Sequence, residues 1–233
     1  MRVKQRKPRE TGRDYALRML KENIIHLDLA PGSLVSENEL AAELGLSRTP
    51  VREALIELSK VHIVEIMPQR GSRIALIDDR LVQEALFLRE TLEKEIVALC
   101  CRRVTPAQLS ELEAIIFRQE QYQDDDTSAE DKHFIELDNL FHQKLFEIAD
   151  KSLIYSIIQD VVIHFDRVRT LTIDYMRPSV ITEQHRKIFE AIKSGSITSA
   201  TELTQQHLGK FLGIEKELRE KYPMYFVSES TAA

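Results

Sequence analysis

The sequence has little that would suit a secreted or membrane-bound protein. Only two of its 233 residues are cysteines, and because Cys100 and Cys101 are adjacent they cannot form a disulfide that staples a fold. The absence of a long uncharged apolar run excludes a membrane span. Residues 1–13 are basic and polar with no apolar stretch behind them, which excludes a secretory signal. We therefore expect a cytoplasmic protein with no membrane partner.

The charge is not distributed evenly along the chain. The formal net charge is −6, yet residues 1–80 carry 14 Lys and Arg against 12 Asp and Glu, a net of +2 that leaves −8 for the remainder. A more basic portion joined to an acidic one is a weak indication of a nucleic-acid reader with a separate partner domain. A hydrophobic content of 43% is ordinary for a globular protein.

The first 77 residues contain the pattern of a winged helix-turn-helix. Apolar spacing predicts helices over Asp14–Leu27, from Ser36 to Leu44 and over Arg48–Lys60. Ser36 and Glu39 match a capping box, Gly45 supplies the left-handed residue of the turn, and Ser47 is expected to cap the third helix. Two short β-like runs, Ile63–Met67 and Arg73–Leu76, flank a glycine-containing tip and predict a hairpin.

From residue 78 onward only helical periodicity remains. We predict a mainly α protein with two domains: a winged helix-turn-helix over residues 1–77 and an all-helical bundle over residues 78–233. The tail after Pro223 is expected to fray. The helices predicted for the bundle are Arg80–Cys101, Pro106–Gln123, Ala129–Asp150, Leu153–Tyr175, Ser179–Ser194 and Thr198–Tyr222.

Two arginines make the third helix a candidate DNA reader. Arg48 and Arg52 are four residues apart, so they share a face directed away from Val51 and Leu55. Guanidinium groups at the start of a helix suit the guanine acceptors of the major groove, and Thr49 suits a phosphate or a thymine methyl. The alternative is that both arginines form solvated ion pairs with Glu43 or Glu53, as is usual for an arbitrary helix.

This N-terminal pattern resembles the winged-helix domain of the GntR family of regulators. The resemblance is carried by Pro31-Gly32, Ser36-Glu37, Leu40-Ala41, Leu44-Gly45, the run from Ser47 to Leu55, and Pro68-Gln69-Arg70-Gly71. It implies that operator DNA contacts Arg48, Thr49, Arg52, Arg70 and Gly71. The family's usual glycine after the recognition helix is missing, so His62 is expected to take a positive φ. Asn38 stands where a relative reads DNA with an arginine, which implies a different base preference.

One acid and three histidines form a second candidate site. Asp138 and His142 are four residues apart on one amphipathic helix, while His185 and His207 lie in two later helices. Together they could surround a divalent ion, although scattered histidines are more often surface or singly hydrogen-bonded core residues. Four other histidines, without a matched partner, are interpreted as surface or packing residues: His26, His62, His133 and His164. Of Arg167 and Arg169, which face differently, one is a candidate to line the pocket.

The same residues resemble the effector domain of the FadR-type branch of the GntR family, the FCD domain. The resemblance spans about residues 78–222 and includes Phe141-His142, Ile188, Ala191-Ile192 and Ala200. It implies a bundle of six or seven helices in which Asp138, His142, His185 and His207 hold a metal, often zinc or nickel. It also implies that Arg89 faces the pocket and grips an effector carboxylate. An interhelical ion pair is the alternative for Arg89.

Together these patterns predict a DNA-binding transcription regulator rather than an enzyme. We expect a homodimeric, ligand-responsive repressor that binds an inverted-repeat operator and senses a small carboxylate or hydroxy acid. One alternative is a metal-dependent enzyme fused to a DNA-binding head, although no further base is tied by motif to the metal ligands. Another is an architectural DNA-binding protein with a vestigial bundle.

Overall fold

The computed structural model describes residues 1–122, 128–172, 177–210 and 214–228. Helices dominate these ranges and a small sheet completes them, which confirms the predicted fold class. In chain order the elements are α1 (Gly12–Ile25), β1 (Leu34–Val35), α2 (Glu37–Leu44), α3 (Arg48–Lys60), β2 (Val64–Met67), β3 (Gly71–Ile74), α4 (Asp79–Arg103), α5 (Pro106–Gln119), α6 (Ser128–Ile148), α7 (Ser152–Thr172), α8 (Pro178–Lys193), α9 (Ile197–Gly209) and α10 (Glu215–Lys221).

The chain forms two compact units that are not continuous in sequence. The first unit comprises residues 1–83, 163–168 and 217–233, and the second comprises residues 84–162 and 169–216. Helices α4 and α7 each contribute residues to both units. The domain boundary expected near residue 77 stays a prediction. It assumed one division of the chain, whereas each unit consists of more than one segment.

Helices α1, α2 and α3 pack around one apolar core in the first unit. Val51, Leu55 and Leu58 of α3 face that core, as predicted from their spacing. Gly45 ends α2 with a left-handed φ of 65°, also as predicted. The expected side-chain caps are wrong: neither Ser36 nor Ser47 makes a capping hydrogen bond. At Ser36 the backbone carbonyl still accepts from Leu40 N, so the helix begins there without help from the hydroxyl.

The wing is a three-stranded antiparallel sheet rather than a simple hairpin. Its strand order is β1-β3-β2, with Val35 opposite Ser72 and Met67 opposite Gly71. Sequence reasoning missed β1, because two residues are too few to show alternation. Gly71 has a φ of 89°, and a Cβ there would lie 3.0 Å from the Val35 carbonyl oxygen. The tip therefore needs glycine both for its backbone conformation and for the close approach of β1.

The turn between α3 and the wing has the unusual backbone that the missing glycine predicted. His62 has a φ of 59°, which confirms the expectation of a positive φ. The chain reverses here so that Ile63 N can donate to Leu58 O. Histidine tolerates this left-handed region better than a β-branched residue would.

The second unit is an all-helical bundle around a separate apolar core. Helices α5 and α6, α5 and α8, and α8 and α9 are packing neighbours. Thr105 starts α5 with a capping box, accepting from Gln108 N while Gln108 accepts from Thr105 N. The predicted helices of the bundle agree with the observed ones to within a few residues up to α8, except that the predicted ends at Gln123 and Tyr175 lie outside the described residues.

The C-terminal part of the chain differs from the prediction. The single helix expected over Thr198–Tyr222 is wrong, because α9 ends at Gly209 and α10 begins only at Glu215. Residues from 217 onward belong to the first unit, where Leu218 and Phe226 are buried. The expected fraying after Pro223 is also wrong up to residue 228, since Phe226 pairs with Ile77 in a β-bridge. Within the described residues, no helix is long and apolar enough to cross a membrane.

Candidate metal centre and nucleic-acid interface

The first turns of α2 and α3 bring the predicted DNA-reading arginines next to polar side chains. Arg48 and Arg52 are exposed on α3, on the side opposite its buried face. Arg48 Nη1 donates to Asn38 Oδ1 at 3.1 Å, and Arg52 Nε lies 4.0 Å from Glu37 Oε1. The expected alternative partners, Glu43 and Glu53, make neither contact. Both arginines therefore stay at the surface, loosely oriented by α2.

The tip of the wing lies beside this helix end. A shallow depression is lined by the first turn of α2 together with Arg48, Arg70 and Gly71. Arg52 contacts Glu37, one of the residues that line this depression. Thr49 is exposed on α3 but does not line the depression. Side chains from the recognition helix and from the wing thus converge on one solvent-facing surface, which can contact a base edge and a phosphate together.

In the second unit, the four predicted metal-ligating side chains lie together and are buried. Asp138 and His142 come from α6, His185 from α8 and His207 from α9, and one ligand atom from each lies within 4.8 Å of the others. His185 Nε2 is 3.3 Å from His207 Nε2 and 3.4 Å from Asp138 Oδ1. His142 Nε2 is 3.4 Å from His207 Nε2. Three helices therefore direct an oxygen and three nitrogens toward one point.

The outer ring nitrogens of two histidines fix which nitrogen carries the proton. His185 Nδ1 is 2.9 Å from Gln119 Oε1, and His207 Nδ1 is 2.8 Å from Gln184 Oε1. Gln119 Nε2 donates to Leu137 O, which turns its oxygen toward His185. Because an amide oxygen only accepts, both Nδ1 atoms carry hydrogen and both Nε2 atoms present lone pairs inward. Two such nitrogens 3.3 Å apart cannot hydrogen bond and repel each other unless they share a cation.

Sequence reasoning missed Glu93, which contacts the third histidine. His142 Nδ1 lies 2.6 Å from Glu93 Oε2, a contact that is short but poorly directed for a hydrogen bond. Glu93 Oε1 accepts from Arg89 Nε at 2.7 Å, and both side chains are buried. A carboxylate behind a histidine is the usual support of a metal ligand, since it favours the proton on the outer nitrogen. The visible signal was an acid four residues after Arg89, and therefore on the same face of α4.

Arg89 is therefore placed beside the cluster, but in an ion pair within α4. The expected alternative was a pair between helices, whereas the observed partner is Glu93 one turn along. Of the two arginines of α7 left open by the sequence, Arg169 belongs to this site. Its Nη1 donates to Asp138 Oδ2 at 2.5 Å and its Nη2 donates to Asn139 Oδ1.

Burial and charge set the protonation of the cluster. Burial would raise the pKa of Asp138, but Arg169 and the neighbouring histidines hold it well below its usual range. Glu93 is likewise kept ionised, because Arg89 and His142 lower a pKa that burial alone would raise. Burial lowers the pKa of His185 strongly and that of His207 to about 3, and neighbouring histidines add to both shifts. Ionised acids and neutral imidazoles are the forms that bind metals.

The remaining histidines do not join the cluster. His62 and His133 are exposed and His26 is half-buried, which fits their interpretation as surface or packing residues. His164 is buried in the first unit, where its ring contacts the Val61 carbonyl. Cys100 is buried, and burial raises the pKa of its thiol to about 12, so it is a core residue rather than a ligand.

An exposed pair of arginines on a helix-turn-helix with a wing is the arrangement of a DNA-binding regulator, and the helical bundle with its buried polar cluster is a separate domain of that regulator. Residues 14–74 match the bacterial regulatory proteins of the gntR family and residues 84–210 match the FCD domain. The chain thus belongs to the GntR family, in its FCD-containing branch, and is a transcription regulator.

Relatives along the whole chain agree with this family. The chain is 34% identical over 223 residues to an uncharacterized HTH-type transcriptional regulator in an unstable DNA locus of Streptomyces ambofaciens, covering 95% of this chain and 92% of that one. It is 31% identical to the HTH-type transcriptional repressor RspR of Escherichia coli K12, covering 97% and 98%. Among solved structures, E. coli McbR/YncC has the same fold, with a TM-score of 0.77, 21% identity and coverage of 91% and 99%. The alternative of a metal-dependent enzyme is not supported.

Proposed function

We propose that this regulator is a ligand-responsive repressor whose helical domain, residues 78–233, holds a divalent metal and whose residues 1–77 bind an inverted-repeat operator. The observation that carries the metal is the cluster itself: the Nε2 atoms of three histidines and an ionised carboxylate converge on one point, and two of these nitrogens, those of His185 and His207, present lone pairs inward. Zinc and nickel both accept such a nitrogen-rich set.

Each residue of the cluster has a stated role in this proposal. Asp138, His142, His185 and His207 are the ligands, and Gln119, Gln184 and Glu93 hold the three rings in place. A divalent ion bound here would supply a positive centre to which a carboxylate can coordinate. The ion would also tie α6, α8 and α9 together, so it should stabilise the bundle.

The effector in this proposal is a small carboxylate or hydroxy acid. Arg89 and Arg169 place two guanidinium groups next to the cluster, and both at present contact protein carboxylates. A carboxylate effector would compete with Glu93 for Arg89 and gain a bidentate contact. Its binding would change operator affinity only as far as it prefers one of two conformations of the regulator.

The DNA contacts are proposed for Arg48, Thr49, Arg52, Arg70 and Gly71. Support comes from their exposure and, for Arg48, Arg70 and Gly71, from their place around one depression. A homodimer with two-fold symmetry presents this surface twice, which requires an operator with dyad symmetry. Repression is favoured because the E. coli relative with 31% identity is named a repressor.

Metal analysis of the purified protein followed by a thermal-shift screen of organic acids tests the proposal. We expect about one zinc or nickel per chain and a higher melting temperature with the cognate acid. Treatment with a chelator should remove the response of DNA binding to that acid. A protein that contains no metal, takes up neither ion and still answers its effector would refute the metal-centred part. A footprint without dyad symmetry, made by a monomer in sedimentation, would refute the dimer.

A further inference from the structure

Helix α7 carries two buried polar side chains that the metal site does not use. Residues 163–168 of this helix belong to the first compact unit, although the rest of α7 belongs to the second. His164 and Arg167 lie in this short stretch, three residues apart and therefore on one face. Both are buried, and Arg167 is fully so.

His164 contacts the end of the recognition helix. Its Nε2 lies 2.8 Å from the carbonyl oxygen of Val61, the residue that ends α3. The last carbonyls of a helix have no partner within it, so a donor from elsewhere must satisfy them. A carbonyl only accepts, so Nε2 carries the proton. Burial lowers the pKa of His164 to about 4, which keeps the ring neutral.

Arg167 contacts the other end of the wing. Its Nη2 donates to the carbonyl oxygen of Ala75 at 2.5 Å, directly after β3, and Ala75 N donates to Ile63 O. Its Nε and Nη1 have no hydrogen-bond partner among the residues that the structure describes. Burial lowers the pKa of Arg167 to about 10. Burying a guanidinium with a single carbonyl partner costs more in desolvation than one hydrogen bond returns. A contribution to stability therefore does not explain why Arg167 is buried here.

We infer that His164 and Arg167 are positioning residues for the operator-reading surface. The whole β2–β3 hairpin lies between Val61 and Ala75, and one face of α7 holds the backbone carbonyls at both of its ends. The orientation of that face therefore sets the angle between the end of α3 and the wing, and with it the placement of Arg70 relative to Arg48.

The same helix also reaches the proposed metal site. Arg169 follows Arg167 by two residues and donates to Asp138, a candidate ligand, within the second unit. A helix is a stiff element, so a change at Asp138 has a continuous path along α7 to the two carbonyls of the wing. This second part, that the wing responds to metal, rests on the proposed function.

The test is Arg167→Met in the full-length protein, because methionine keeps the volume of the side chain and removes its charge. Operator affinity is measured on a duplex that the wild type selects from a random library, with zinc and after chelation. We expect the variant to keep its zinc content and melting temperature and its affinity for an unrelated duplex. Its operator affinity should fall about tenfold, the size of one lost hydrogen bond with a charged donor. The ratio of affinities with and without zinc should approach one.

A second pair of variants covers the case in which Arg167→Met fails to fold. The amide of His164→Gln can still donate to Val61 and should keep operator affinity near that of the wild type, whereas His164→Ala should lose it. Lys187→Met, an exposed residue of α8 paired with Glu183, is the matched control and should change nothing.

The outcomes separate this inference from the proposed function. Wild-type operator affinity in Arg167→Met and His164→Ala would overturn the inference, and so would a loss of zinc from either variant, because the effect would then be structural. If the wild type itself is indifferent to zinc, the proposed metal role fails, while the basal operator affinities of the variants still decide whether α7 positions the wing.

Discussion

The arginines of α3 and the buried cluster of Asp138, His142, His185 and His207 differ in how their side chains are held. Arg52 is 70% exposed and meets Glu37 at only 4.0 Å, a pair of the kind that contributes little to stability. Each member of the cluster is buried, and each outer atom has a close polar neighbour. In the proposed function, the exposed arginines exchange weak contacts for phosphates and bases, whereas the buried cluster is already arranged to hold a metal ion. Mutations should therefore act differently in the two regions.

The largest expected effect is that of His185→Ala, which should abolish metal binding. This candidate ligand is fully buried, and its loss leaves two imidazoles and one carboxylate in the cluster. The stabilisation by added metal, roughly 2.7 kcal/mol at a hundredfold excess over Kd, should disappear, while basal DNA binding largely survives. Metal content and melting temperature with and without zinc measure this. The exposed His133→Ala is the control, and an unchanged metal content in His185→Ala would contradict the site.

Substitutions of the exposed arginines of α3 should lower the affinity for DNA and leave the free energy of unfolding unchanged. Arg52→Ala should cost about 1–3 kcal/mol of operator binding if the side chain contacts a base. A phosphate contact would instead weaken all duplexes alike and reduce the salt slope by roughly one unit. The double variant Arg48→Ala, Arg52→Ala should lose specific binding with an unchanged melting temperature. Fluorescence anisotropy on operator and unrelated duplexes checks this; unchanged operator affinity in the double variant would remove α3 as the reader.

A smaller effect on metal affinity is expected from a residue that orients a histidine ring but contributes no ligand atom. Gln119→Leu removes the acceptor that orients His185 but no ligand. Loss of such a support typically lowers metal affinity by about 10- to 100-fold. Competition with a zinc chelator of known affinity measures the change. Gln143→Leu, at an exposed position of α6 where the side chain contacts Glu147, should bind zinc like the wild type. Equal affinities in the two variants would mean that Gln119 does not position the ring.

The smallest effect compares one helix cap from each region. Thr105 makes a complete capping box in the bundle, so Thr105→Ala should cost about 1 kcal/mol of stability. Ser47 makes no capping hydrogen bond, and Ser47→Ala should cost clearly less. Chemical unfolding followed by circular dichroism compares them. A larger loss for Ser47→Ala would indicate that its hydroxyl caps α3 in solution.

Much of the fold could be predicted because it depends on local rules. The period of apolar residues placed α1, α3 and most bundle helices, and Gly45 and the missing glycine at His62 predicted two left-handed turns. The predictions were wrong where a segment far away in the sequence determines the local structure. β1 is only two residues long and exists by pairing with β3. From residue 217 the chain belongs to the first unit, where Leu218 and Phe226 are buried.

The candidate sites divide in the same way. The four candidate ligands were chosen because Asp138 and His142 share a helix face and because of the family resemblance, and the structure brings all four side chains together. The supporting residues were missed, because nothing near Gln119 or Glu93 in the sequence indicates a histidine from another helix. The effector contact expected for Arg89 stays a prediction; the structure adds that Arg89 forms an ion pair with Glu93.

The sequence by itself determined the class of this protein: a winged helix-turn-helix with exposed arginines, followed by helices that carry metal-ligand side chains. These features depend on spacings of three or four residues, which a helix converts directly into shared faces. Only the tertiary structure decided which polar groups meet across 31 to 103 residues: Gln119 with His185, Arg169 with Asp138, and His164 and Arg167 of α7 with the two ends of the wing. The reason is that buried polar groups must find partners, and packing, not sequence distance, determines which partners are within reach.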